Sequence, residues 1–151
     1  MLIKNVCNAI KKYKSFLITA HHDPEGDSLG SQLAMAEILR QLGKGYVIVN
    51  ADKPPSRYDF VKNIGLIEVV APGRNYNFDA ALVLDCPVIE RVKDVAKIIG
   101  KKPIINIDHH VSNINFGKVN YVDSKASSTG EIIYRLAVAL GCKINKCLAD
   151  Y

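Results

Sequence analysis

Two kinds of hydrophobic pattern alternate along the chain. Short runs that are apolar at nearly every position, with Thr19, Asp85, Asn106 and Asp108 the exceptions, occupy residues 16–20, 46–49, 80–85 and 104–108. Between them lie longer stretches in which apolar residues return every three or four positions. The first such stretch places Leu2, Val6, Ile10 and Tyr13 on one stripe, with Lys4, Lys11, Lys12 and Lys14 on other faces. That spacing predicts an amphipathic surface helix whose lysines form a solvated face. Leu29, Leu33, Ala36 and Leu39 predict a helix over 26–42, stopped by Gly43. Val92, Val95, Ala96 and Ile99 predict another over 89–99, and a fourth spans 128–140, ending at Gly141. Pro54, Pro55 and Ser56 break the chain ahead of a helical turn or two at 58–62. Residues 66–70 read as a short edge strand and 119–122 as a further strand.

A strand that is apolar at every position is covered on both faces, as in a parallel sheet between helix layers. Strands alternating with helices give right-handed βαβ units. The expected fold class is therefore α/β, a doubly wound, mostly parallel sheet with helices on both faces. The chain contains no internal repeat, low-complexity tract or interdomain linker.

Composition narrows the class without naming a function. The 151 residues, 48% apolar and 23% charged, suit one globular domain rather than a disordered tail or a disulfide scaffold. A net charge of +5 is mildly basic, which suits both nucleic-acid binders and ordinary enzymes. No apolar run is long enough to span a membrane, and the first residues lack the features of a secretory signal. Cys7, Cys86, Cys142 and Cys147 show no metal-type spacing and read as reduced structural residues. The expected compartment is the cytoplasm. The final residues, NKCLADY, do not read as a natural ending.

In a doubly wound sheet, ligands bind beyond the carboxyl ends of the strands. The first strand is followed by HHDPEGDSLGS, the third clear strand ends at Asp85, and the fourth ends at Asp108-His109-His110. Each piece alone has an ordinary explanation as a cap, a turn or a structural histidine. Together, His21, Glu25, Asp27, Asp85 and His109 place five ligand-type groups on one sheet edge. The three carboxylates among them would repel one another if left bare. A pair of divalent cations removes that penalty. A mixed imidazole and carboxylate set suits Mn²⁺, with Mg²⁺, Co²⁺ or Zn²⁺ as substitutes. Two such ions ~3.5–4 Å apart clamp a phosphorus centre during in-line displacement. Asp85, being central, is the natural bridge. Gly26 and Gly30 bring a helix start and its dipole to the same edge. Ser127, Ser128 and Thr129 open another helix, where they could bind a phosphate or, with Glu131, form a capping box.

These motifs, in order and spacing, resemble the DHH phosphoesterases across nearly the whole chain. The SSTGE element at 127–131 and the first motif look most like the subgroup of nanoRNase/pAp phosphatases, the bifunctional oligoribonucleases. The resemblance implies that His21 and Glu25 hold one Mn²⁺, Asp27 and His109 the other, and that Asp85 bridges. It implies that His110 contacts the scissile phosphate and that Asp108 supports the metal site from behind. His22 falls on a variable position and is not counted as a ligand. The implied reaction is attack of a metal-bridging hydroxide on short oligonucleotides or on 3′-phosphoadenosine 5′-phosphate (pAp). Linear di-adenylates, polyphosphate or pyrophosphate, and longer single-stranded DNA are alternative substrates within the same family. A non-catalytic metal- or nucleotide-binding module is the alternative from another class.

Two departures stand against the family pattern. Glu25 occupies a position where the family usually carries Asp, which lengthens the donor arm by one methylene. A further metal-binding Asp and a separate C-terminal substrate-binding domain, both expected of the family, do not occur within these residues. The resemblance therefore implies that residues 1–151 are a catalytic domain incomplete at its C-terminus, with its partner lobe elsewhere in the protein. Such a fragment is expected to turn over weakly or not at all in isolation. A homodimer is compatible with these implications.

Overall fold

A computed structural model describes residues 2–151; Met1, and the side chain of Leu2 in the predicted apolar stripe, lie outside what it describes. Six strands form one sheet: β1 (Ser15–Ala20), β2 (Gly45–Asn50), β3 (Ile67–Val69), β4 (Ala80–Leu84), β5 (Ile104–Asp108) and β6 (Val119–Val122). Their spatial order is β3-β2-β1-β4-β5-β6, and every adjacent pair is parallel. The α/β class predicted from the apolar runs is the observed one, with a sheet that is wholly parallel.

The helices are α1 (Leu2–Lys12), α2 (Gly26–Gln41), α3 (Val95–Ile99), α4 (Thr129–Ala139) and α5 (Lys146–Ala149). Side chains along β1 alternate between two cores. Phe16 and Ile18 join Val6, Ile10, Leu29, Leu33, Ile132 and Leu136 beneath α1, α2 and α4. Leu17 faces the other way, toward Val49, Phe78, Val83, Val92, Val95 and Ile99. The period-2 geometry of a strand, with both faces covered, is the reason these runs are apolar at nearly every position.

Helix α2 is buried from Ser28 to Leu39, and α4 and α5 both pack against it. Its amide-bearing Gln32 is enclosed and donates to the Ser28 carbonyl at 3.0 Å. The lysines of α1 are exposed, as the solvated-face reading requires.

The predicted helix over 89–99 is interrupted. A 3₁₀ turn, Ile89–Val92, gives way to α3 only at Val95. Lys93 between them adopts φ +49°, a left-handed conformation that ends a right-handed helix. The apolar positions still serve their purpose, because Val92, Val95 and Ile99 are all buried. Helix α5 has no counterpart among the predicted elements. The Asn145 side chain caps it by accepting from Leu148 N at 2.9 Å, and Leu148 enters the larger core.

The chain crosses from β1 outward to β2 and β3, then returns to β4 on the other side of β1. The reversal opens a crevice beyond the carboxyl ends of β1 and β4, where such sheets place their ligands. Among the described residues, no helix is long and apolar enough to cross a membrane.

Candidate metal centre

His21 follows β1 directly, Asp85 follows β4, and Asp108 closes β5 ahead of His109 and His110. Glu25 and Asp27 flank Gly26, the first residue of α2. Ser28 Oγ ties down that turn by accepting from Glu25 N and donating to Glu25 O, each at 3.0 Å. The three strand ends and one helix start converge on Asp85, which is 1% exposed.

Asp85 takes φ +52°, a left-handed conformation that Asp tolerates better than most residues. Its backbone N–H still donates to the Ile107 carbonyl at 2.9 Å, keeping it in line with the sheet. The two carboxylate oxygens then face different partners. Oδ2 lies 3.5 Å from His21 Nε2. Oδ1 lies 3.7 Å from His109 Nε2 and accepts from Thr129 Oγ1 at 2.9 Å. His109 Nε2 is also 3.7 Å from Asp27 Oδ2. Donor atoms of His21, Glu25 and Asp85 fall within 4.8 Å of one another, as do those of Asp85, His109 and His110.

Whether this set fits cations can be judged from two atoms. Asp85 Oδ2 is buried and has no hydrogen-bond partner. Across from it, His21 Nδ1 faces the His22 carbonyl. A carbonyl only accepts, so Nδ1 carries the proton and the Nε2 lone pair points at Asp85. A lone pair facing a buried carboxylate oxygen needs a positive charge between them. The Asp85 carboxylate raises the His21 pKa against the opposing effect of burial. Burial works to raise the Asp85 pKa, but His21 and Thr129 outweigh it and the carboxyl ends below its usual range. The residues therefore fit a divalent cation on the His21 side. One carboxylate oxygen turned to each imidazole group also fits a second ion on the His109 side.

His110 has a different setting. Its Nδ1 is 2.7 Å from Asp108 Oδ1, which also accepts from His109 N at 2.8 Å. Asn113 Nδ2 donates to Asp108 Oδ2 at 2.6 Å and to Asn106 Oδ1 at 2.8 Å. With Nδ1 engaged by Asp108, the half-buried His110 ring has Nε2 left for another partner. Asp108 itself is fully buried behind it.

The hydroxyl-rich opening of α4 is already engaged within the chain. Ser127 N and Oγ both donate to Glu131 Oε2 at 2.8 Å, and Ser128 Oγ accepts from Glu131 N at 3.1 Å. That is a capping box whose return arm lands one residue early. Thr129 N and Gly130 N each donate to Asp27 at 2.8 Å. Gly26 and Gly30 line a groove of about 600 Å³ between α2, α4 and the C-terminal residues.

Two contacts near the centre carried no signal in the sequence pattern. Arg91 lies in the segment predicted as helix, yet its Nη2 reaches 3.4 Å from His21 Nδ1, and its carbonyl accepts from His22 N at 2.8 Å. Asn113 lies in a loop with no periodicity. An Asn three residues beyond a histidine pair would have been its only clue.

The model of the DHH family N-terminal domain matches residues 15–151. The chain belongs to the DHH family. A bifunctional oligoribonuclease and PAP phosphatase of Bacillus subtilis is 30% identical over 129 residues, covering 84% of this chain and 39% of that protein. Its namesake from Thermus thermophilus is 34% identical over 131 residues, covering 82% of this chain and 36% of that protein. This DHH chain thus spans less than half the length of the curated relatives it matches. Among solved structures, an exopolyphosphatase-related protein from Bacteroides fragilis superposes with a TM-score of 0.83 at 21% identity. That match covers 92% of this chain and 43% of that one, and it supports the fold.

Proposed function

We propose that this DHH domain is the catalytic part of a Mn²⁺-dependent phosphoesterase that cleaves short oligonucleotides and removes a phosphate from pAp. The observation that carries the reading is the buried, partnerless Asp85 Oδ2 facing the His21 lone pair at the switch point of the sheet. The substrate class rests on the relatives named bifunctional oligoribonuclease and PAP phosphatase. The expected compartment is cytoplasmic, and the rest of the substrate site is expected in a C-terminal lobe of the same protein.

In this reading His21 and Glu25 would hold one ion and Asp27 and His109 the other, with Asp85 available to both. Bound there, the ions would neutralise phosphate charge and lower the pKa of water. The protein's own groups do the rest. Asp108 fixes the His110 ring through Nδ1, so that Nε2 can meet a phosphate oxygen where charge develops. Asn113 keeps Asp108 from turning away. Arg91 adds a fixed positive charge beside His21.

The test is hydrolysis of a dinucleotide and of pAp by the protein carrying this chain, with and without Mn²⁺. Release of 5′-mononucleotides or of phosphate, stimulated by Mn²⁺ and abolished in D85N, is expected. Failure to hydrolyse either substrate with Mn²⁺ present overturns the assignment.

A further inference from the structure

One residue of α4 touches carboxylates from both sides of the centre. Thr129 is 0% exposed. Its Oγ1 donates to Asp85 Oδ1 at 2.9 Å, and its N–H donates to Asp27 Oδ2 at 2.8 Å. Gly130 N takes the other Asp27 oxygen, and Ser31 Oγ approaches the same oxygen at 3.3 Å. Asp27 comes from α2 and Asp85 from β4, about a hundred and about forty residues away in sequence.

We propose that Thr129 is a positioning residue of the metal centre, setting the orientation of Asp85 with its hydroxyl and of Asp27 with its N–H. This rests on the metal reading above. A carboxylate can rotate about its last bond, and Asp85 Oδ2 has no hydrogen bond of its own to stop it. The Thr129 hydroxyl is therefore the side-chain bond that keeps Oδ1 toward His109 and Oδ2 toward His21. Oδ1 keeps a second lone pair for an ion on the His109 side. The N–H groups at the start of α4 bond both Asp27 oxygens, and Oδ2, which accepts only from Thr129 N, keeps a second lone pair for an ion. Full burial also separates Thr129 from Ser127. The serine sits at the surface, whereas the threonine hydroxyl is sealed under the carboxylates. Partners of this kind behind a ligand commonly control metal affinity by about 10–100-fold.

The test is calorimetric titration with Mn²⁺ of the protein carrying this chain, as wild type, T129V and T129S, with unfolding midpoints in EDTA to show that each variant is folded. T129V keeps the shape and the N–H but deletes the hydroxyl; T129S keeps the hydroxyl and deletes the methyl. Binding about tenfold weaker in T129V and within about threefold of wild type in T129S is expected. Equal affinity of folded T129V and wild type overturns the proposal. So does equal loss in both variants, which would place the effect in methyl packing. If T129V does not fold, T129A against T129S reads the same hydroxyl, and equal affinities there overturn it too. A wild-type protein carrying this chain that takes up no Mn²⁺ defeats the metal reading itself and this proposal with it; a wild type that binds while T129V binds equally defeats the proposal alone.

Discussion

Replacing Glu37 by Gln tests how the C-terminal residues are fastened to the rest of the domain. Glu37 lies on α2, is 7% exposed, and collects four hydrogen bonds. Arg40 approaches with Nε at 2.7 Å and Nη2 at 2.8 Å, Gln41 Nε2 at 3.0 Å, and Asn145 Nδ2 at 2.8 Å. Arg40 is the main reason that the carboxyl pKa falls from 4.5 to about 2, with Asn145 and Gln41 adding to it and burial opposing. A shift of that size is worth at most about 3 kcal/mol. Arg40 is 61% exposed and only three residues away, so solvent screening brings the expected value down to about 1–2 kcal/mol. The sign follows from the depressed folded-state pKa. The contribution is whole above the unfolded value of 4.5 and is lost as pH falls toward about 2. Urea unfolding in EDTA should show E37Q less stable than wild type by about 1–2 kcal/mol at pH 7. The gap should shrink to less than about half by pH 3. A gap that stays constant down to pH 3, or no gap at pH 7, would refute the charged network as the fastening.

Three further outcomes are expected. D85N should abolish Mn²⁺ uptake in calorimetry. N113D sets a second carboxylate oxygen 2.6 Å from Asp108 Oδ2. Hydrolysis should then fall by at least about tenfold in kcat through misplacement of His110, with a loss of about 1–3 kcal/mol in denaturant stability. G117A places a Cβ 2.8 Å from Asn120 Oδ1, 2.9 Å from the Val119 carbonyl and 3.1 Å from Asn106 N. Because two of these are backbone atoms, chemical denaturation should register about 1–3 kcal/mol of destabilisation without a comparable change in metal affinity per folded molecule.

The sheet was legible because burial on both faces leaves a one-dimensional mark, the nearly unbroken apolar run. The convergence of His21, Asp85 and His109 was legible for a related reason: in a parallel sheet all strands end on the same edge, so residues after separate strands must be neighbours. What stayed hidden depends on hydrogen bonds between distant segments. The interruption before α3 is one case. Lys93 takes a left-handed conformation, and its Nζ reaches Asp52 Oδ2 at 3.1 Å. The same carboxylate oxygen accepts from Asp23 N, also at 3.1 Å and also at a left-handed residue. Nothing local in the sequence around Lys93 reports a carboxylate some forty residues upstream. Glu37 is another case, a charged helix residue whose burial depends on Asn145 arriving from the far end of the chain.

The opening of α4 shows how a correct local reading and a distant partner combine. Ser128 caps the helix as the spacing of Ser and Glu predicts, because a cap is a contact between residues three apart. The free N–H groups of that first turn would ordinarily invite an anion from solution. Here Asp27 supplies the anion from α2, and the Thr129 hydroxyl, which the sequence offers as a phosphate ligand, turns inward to Asp85. The helix start thus spends its donors on holding two carboxylates a few ångströms from two histidines. Such an arrangement concentrates negative charge in the crevice and is stable only when protons or metal ions complete it. That is why Asp85, with one oxygen bonded by Thr129 and the other left bare, is the atom group on which the functional reading turns.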